Sequence, residues 1–204
     1  MTSIDADNIE CRQHQLICID GQGYIDRVVD ETDAEFETVR QEAIAGDKLI
    51  SLNPDEYILP GFIDLHIHAP QWPNAGVALD RPLNEWLDVY TFPMEAKYRD
   101  VEFAKRVYDD LVNELIANGT TTALYFGTIH NEANLELAKA CVRHNQRGFI
   151  GKVAMDNPEE TPENYRDASA KVAVEQTEEF IHKLEELNQT AIVKQTPVIT
   201  PRFV

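Results

Sequence analysis

The order of elements along the 204-residue chain predicts an α/β fold. Three observations carry this. From Ile58 onward, strand patterns and helix patterns alternate as β-α-β-α-β-α-β, which forces right-handed crossovers and a parallel sheet covered by helices. The first of these strands ends in His66-Ile67-His68, at the end where α/β folds place their sites. Residues 1–56 differ in kind: they hold 14 acidic and 4 basic residues and read as a small β-rich subdomain ahead of residues 57–204.

Within 1–56, the run LICIDGQGYIDRVV predicts two short strands around a turn at Asp20-Gly21-Gln22-Gly23. Glu31 to Ala45 predicts a helix, with Phe36, Val39, Ala43 and Ile44 near one face and Gly46 as its stop. Ile58 to His68 is largely apolar and suits a strand buried on both faces. A long connection follows, rich in tryptophan and proline, and connections of that length are often functional.

Asp100 to Asn118 is helical by the recurrence of Phe103, Val107, Leu111 and Leu115, with Gly119 to stop it. Thr120 to Phe126 is a β-branched and aromatic strand. Asn131 to His144 is the next helix and Phe149 to Met155 a third buried strand. Thr161 and Pro162 suit an N-cap and a first helical residue for a helix that turns Ala173, Phe180, Leu184 and Leu187 inward. Ala191 to Thr200 is the fourth strand, with Pro197 tolerated at an edge or irregularity. The alternation fits an open doubly wound sheet or part of a closed barrel. Four strands do not close a parallel barrel, whose usual form needs about eight strands, so the chain reads as one that stops midway through a larger fold.

Composition excludes several classes. Eighteen basic residues stand against 36 acids, a formal net charge of −18, which removes the clustered positive charge that nucleic acid requires. No stretch approaches the ~18 apolar residues of a membrane span. The first ten residues lack the basic start and apolar run of a secretory signal. Cys11, Cys18 and Cys141 are odd in number and widely spaced, so reduced thiols in a cytoplasmic protein are expected.

The chemistry concentrates in Leu59-Pro60-Gly61-Phe62-Ile63-Asp64-Leu65-His66-Ile67-His68. Side chains two apart on a strand point the same way, so His66 and His68 can present two imidazoles to one ion. Imidazole suits zinc, iron or nickel rather than magnesium or calcium. A bare His-x-His is more often two ordinary polar residues; the apolar strand, the Pro-Gly start and the βα alternation favour a metal site here. His130 follows the second strand at the same end of the sheet and is placed to line a pocket. His14, His144 and His182 sit in the acidic subdomain, at a helix end and in a charged helix. None of these four is expected to be a primary ligand. Asp64 is expected to hydrogen-bond within the strand layer, and Asp156, at another strand end, is not taken as a ligand.

These residues resemble a known family. PGFIDLHIH is similar to the first barrel strand of the metal-dependent amidohydrolase superfamily. HIHAPQWPNAG, LDRPLNEWLDVYTFPMEAKYRD, NGTTTALYFGTIH, FIGKVAMD and the terminal TPRF resemble its guanine deaminases, over about Tyr57 to Val204. The resemblance implies an incomplete (β/α)8 TIM-type barrel of about four βα units, preceded by part of a small β-sandwich subdomain.

It also implies a zinc hydrolase with one Zn2+ per site, converting guanine to xanthine and ammonia, and homodimeric when full length. His66 and His68 would ligate the metal, while Gln71, Arg202 and Phe203 would contact the purine. Gln71 offers donor and acceptor groups to an amide edge, Arg202 donates, and Phe203 gives a flat apolar face. Trp72 would wall the pocket, Trp86 would pack the loop, and Lys152 would be structural. In the family the proton-shuttling glutamate, a further histidine and a late aspartate lie on later strands, so the 204-residue chain alone is expected to be inactive. Two other readings stay open: a non-catalytic half-barrel that binds a full-length subunit or partner, and an amidohydrolase for another aminated heterocycle.

Overall fold

The computed structural model describes residues 1–203 and divides into two compact units, Met1–Pro60 and Gly61–Val204.

In the first unit, β1 (Thr2–Ser3) pairs antiparallel with β2 (Ile9–Glu10), and β3 (Gln15–Ile19) with β4 (Ile25–Asp30). The expected turn joins β3 to β4: Asp20 accepts from the backbone N–H of Gln22 and Tyr24 through its side chain, a local bond that Asp forms readily. The helix α1 spans Phe36–Ala45 and so begins five residues later than its periodicity predicts. Asp30 and Asp33 explain the delay. Asp33 accepts from the N–H of Asp30, and Asp30 accepts from Thr32, so the residues before Phe36 are held in a turn.

The second unit is the α/β body. Strand β5 is Phe62–His68, and a chain of short turns follows it. These are a 3₁₀ segment at Ala69–Asn74, α2 (Leu83–Trp86), a wider turn at Leu87–Thr91, α3 (Phe92–Glu95) and another 3₁₀ turn at Ala96–Arg99. Then come α4 (Val101–Ala117), β6 (Thr120–Phe126), α5 (Asn131–Arg143), β7 (Arg147–Gly151), β8 (Val153–Ala154), α6 (Ala170–Asn188), β9 (Thr196–Pro197) and β10 (Thr200–Pro201). The main sheet has the order β5-β6-β7-β9, parallel throughout, and β8 pairs in parallel with β10. Sequential parallel neighbours with helical crossovers are the βα units that the alternation predicts.

Local chemistry sets the helix limits. Asp100 caps α4 by accepting from Glu102 and Phe103 N–H groups, and Gly119 at φ +89° ends the turn beyond it. The α6 helix begins at Ala170 with Ser169 as its cap, not at Thr161-Pro162. Thr161 cannot act as that cap, because its hydroxyl donates to the Asn157 carbonyl and Pro162 leads only into a 3₁₀ turn at Glu163–Tyr165. The fourth strand is reduced to two short bridges around Val198, since Pro197 and Pro201 have no N–H to extend a ladder.

The core lies between sheet and helices. Tyr98, Tyr108, Val112, Ala123, Tyr125, Leu137, Ile150, Phe180 and Leu184 are all buried in one cluster. Each large apolar side chain so placed contributes roughly 1.5–3 kcal/mol. The expectation of a first strand buried on both faces is not met: Phe62, Ile63 and Leu65 on β5 are more than half exposed. Among the described residues β5 is paired on one side only, with β6, so its apolar run has no cover there.

A tight joint holds the C-terminal ends of β6 and β7. Gly127 N–H donates to the Gly151 carbonyl, while Asn134 on α5 clamps Thr128 through both its backbone groups. A Cβ on Gly127 would stand 2.3 Å from Asn134 Oδ1 and 2.9 Å from the Gly151 carbonyl oxygen. Gly127→Ala is therefore expected to destabilise by about 1–3 kcal/mol, read as a lower denaturant midpoint at unchanged slope. An unchanged midpoint would show that this joint yields freely.

Candidate active site

The C-terminal end of β5 delivers the two histidines as period-2 geometry requires. His66 Nε2 and His68 Nε2 stand 3.1 Å apart. Two nitrogens on one tetrahedral zinc at ~2.0–2.1 Å would stand about 3.3 Å apart, so the pair fits a shared ion with little adjustment. Both rings lie against Phe126 at the end of β6, at centroid distances of 4.9 and 4.8 Å, which limits their rotation. Asp64, two residues back, accepts from the His66 N–H, as expected of it. Burial, then the positive Arg202, then His66 push the His68 pKa down to about 4. His68 is thus neutral at pH 7, the form that binds a metal. Among the described residues no group of three or more His, Cys, Asp and Glu side chains could hold an ion.

Gln71 and Arg202 meet at a residue that the sequence reading missed. Glu95, the last residue of α3, is fully buried. One of its carboxylate oxygens accepts from Gln71 Nε2 at 2.9 Å and the other from Arg202 Nη1 at 2.7 Å. Arg202 is held as well by aromatic faces, its guanidinium carbon lying 5.4 Å from the Phe92 ring centre and 5.1 Å from that of Phe203. Phe203 packs edge-on to Phe92, and Phe126 joins the same apolar cluster. That cluster links the two imidazoles to the Gln71–Glu95–Arg202 bridge. The Arg202 N–H donates to the Ala154 carbonyl, and the Phe203 carbonyl accepts from Asn157, which fixes the backbone here.

The other residues fall elsewhere. Trp72 does not wall the site: its indole N–H donates to Asp110 on α4 and its ring packs on the main core. Trp86 donates to the Val77 carbonyl, closing its loop. His130 is the N-cap of α5, lies near Tyr165, and has its pKa lowered chiefly by burial. His144 caps the C-terminus of α5 and approaches Asp109, while His182 pairs with Glu185 on α6. Lys152 is buried against Asp167. A cleft of about 370 Å³ opens between Leu87, Phe92, Thr161, Pro162 and Phe203, and neither His66 nor His68 lines it.

The amidohydrolase family model matches residues 57–201, nearly all of the α/β body but not Arg202 and Phe203. The chain belongs to the amidohydrolase family. Guanine deaminase from Mus musculus is 40% identical over 173 residues, covering 82% of this chain and 37% of that protein. The Dictyostelium discoideum guanine deaminase is 35% identical over 212 residues, covering 98% of this chain and 45% of its own length. The crystal structure of the guanine deaminase from C. acetobutylicum, with guanine bound in its active site, superposes with a TM-score of 0.78 at 29% identity, over 100% of this chain and 44% of that one. The amidohydrolase chain thus spans less than half the length of these relatives, and its parallel βα units form part of a TIM-type barrel fold. Among the described residues no helix is long and apolar enough to cross a membrane.

Glu95 left one signal in the sequence, an acid inside the segment FPMEAKYRD between a proline and a buried tyrosine. That pattern carries no chemistry until the fold brings Arg202 to it.

Proposed function

We propose that the chain holds the zinc-binding and purine-reading part of a guanine deaminase, which hydrolyses guanine and water to xanthine and ammonia. The observation that carries the reading is the convergence of a guanidinium and an amide, tied by one buried carboxylate, beside two imidazoles 3.1 Å apart. The relatives named above, and the guanine bound in the C. acetobutylicum enzyme, support the choice of purine. His66 and His68 would hold zinc, which supplies a Lewis acid able to activate water near neutral pH. Arg202 donates to a carbonyl or ring nitrogen, Gln71 meets an adjacent N–H, and Phe203 offers its face to the flat ring.

Catalytic zinc usually takes three protein ligands, and among the described residues no third His, Cys, Asp or Glu joins the two imidazoles. The 204-residue chain is therefore expected to bind guanine in the presence of zinc while releasing ammonia at no more than the uncatalysed rate. Titration of the zinc-loaded chain with guanine, adenine and cytosine tests this. Guanine should bind at least about tenfold tighter than either competitor, and Arg202→Met should remove that preference. Equal affinity for all three would overturn the assignment of substrate, and rapid ammonia release would overturn that of a partial site.

A further inference from the structure

We infer that Glu95 is the positioning residue that decides which hydrogen-bonding edge the site shows its ligand, acting through Gln71 and Arg202. The inference rests on the guanine reading above and goes beyond it by assigning the source of selectivity.

A paired carboxylate only accepts hydrogen bonds. The Gln71 amide must therefore turn its nitrogen towards Glu95, at 2.9 Å, leaving its oxygen as the group free for a ligand. A solvated glutamine flips its amide at little cost. This one cannot, because a flip would set an amide oxygen against a carboxylate oxygen. Arg202 spends Nη1 on the same carboxylate at 2.7 Å, and Phe92 and Phe203 flank its guanidinium, so the direction of its remaining donors is set.

The edge on display is then an acceptor at Gln71 and donors at Arg202. Its complement is an N–H next to a carbonyl, the lactam edge of guanine. Adenine carries a ring nitrogen next to an amine, the reverse polarity.

Burial makes the arrangement stiff. Glu95 is fully buried, and the Arg202 side chain is only 9% exposed. Tyr98, Tyr108 and Tyr165 are buried near enough to Glu95 that its charge adds to burial in raising their pKa values. In such surroundings an ion pair is poorly screened, and removing one partner leaves the other without compensation.

The test is equilibrium binding of guanine and of adenine to the zinc-loaded 204-residue chain, as parent, Glu95→Gln and Glu95→Asp, with zinc content and thermal unfolding measured on each. Glu95→Gln can accept or donate, so it frees the Gln71 amide to flip. Guanine affinity should fall at least about tenfold and the guanine-to-adenine preference should shrink towards one, with zinc content unchanged. Glu95→Asp keeps the charge and shortens the reach, and should retain a preference for guanine at reduced affinity. A purely structural Glu95 would lower the unfolding temperature and leave the preference intact, and that result overturns the inference. If Glu95→Gln does not fold, Glu95→Asp decides alone: parent-like guanine affinity overturns the inference, and a loss of about tenfold at full zinc content supports it. A folded, zinc-loaded parent that ignores guanine would instead sink the guanine reading, and this inference with it.

Discussion

His68→Ala is expected to lose stoichiometric zinc, with affinity falling by more than the ~100-fold that removal of a mere supporting partner costs a metal site. His66→Ala should behave alike. The two Nε2 atoms converge at 3.1 Å, and among the described residues no third His, Cys, Asp or Glu joins them, so loss of either leaves a single imidazole. Zinc titration by competition with a chromophoric chelator reads the effect. His182→Ala, which changes a surface ion pair on α6, serves as the control and should bind like the parent. Retention of parent affinity in either His66→Ala or His68→Ala would refute the metal assignment. A pH effect follows from the same geometry. An unfolded histidine takes up its proton near pH 6.5, whereas His68 resists until about 4. Because the unfolded chain then binds the extra proton, metal-free protein should lose stability as pH falls between those values. The loss is of the order of 2 kcal/mol once solvent screening is allowed for. Saturating zinc, which binds the neutral imidazoles of the folded chain, should add stability at each pH where it stays bound and lose that effect as protons compete.

The histidine pair was legible because a strand has a fixed period of two, so His66 and His68 need only local geometry to converge. Most of the βα order was legible for a similar reason: α4 and β6 sit within a residue of their predicted limits, each bounded by a local signal such as Asp100 or Gly119. The errors share a different cause. Thr161-Pro162 and Ser169 pass the same local test for a helix start, and a hydrogen bond from Thr161 to Asn157 decides between them. The apolar run of β5 shows that its faces favour cover, which is not the same as having cover within this stretch of chain. Glu95 is the clearest case. It meets Arg202 across 107 positions of sequence, and no periodic or capping signal spans that distance.

Breaking the Lys152–Asp167 pair should produce the largest loss of stability in the α/β body. Both side chains are essentially without exposure, and Lys152 Nζ donates to both carboxylate oxygens at 2.8 Å and to the Val153 carbonyl at 3.0 Å. Asp167 also accepts from the Met155 N–H at 2.9 Å and donates its own N–H to the Met155 carbonyl at 2.7 Å. Burial lowers the Lys152 pKa against the pull of Asp167, so the ammonium depends on that carboxylate to stay charged. Asp167→Ala leaves a buried ammonium and an unpaired backbone N–H, and is expected to cost about 3–5 kcal/mol. Lys152→Met should cost less, because Asp167 keeps its backbone partner and the methionine fills much of the space. The double variant Lys152→Met/Asp167→Leu should recover part of the loss of Asp167→Ala, since it removes both charges at once. Urea unfolding of the three proteins measures this, and a cost below ~1 kcal/mol for Asp167→Ala would show that water reaches the pair. The damage should extend to the site. Asp167 anchors the chain that runs from Met155 through Asn157 and Thr161, and Asn157 holds the carbonyl of Phe203. On the guanine and zinc reading proposed above, Asp167→Ala should therefore weaken guanine binding while leaving the affinity of His66 and His68 for zinc unchanged, because the imidazoles are fixed by β5 and Phe126 instead.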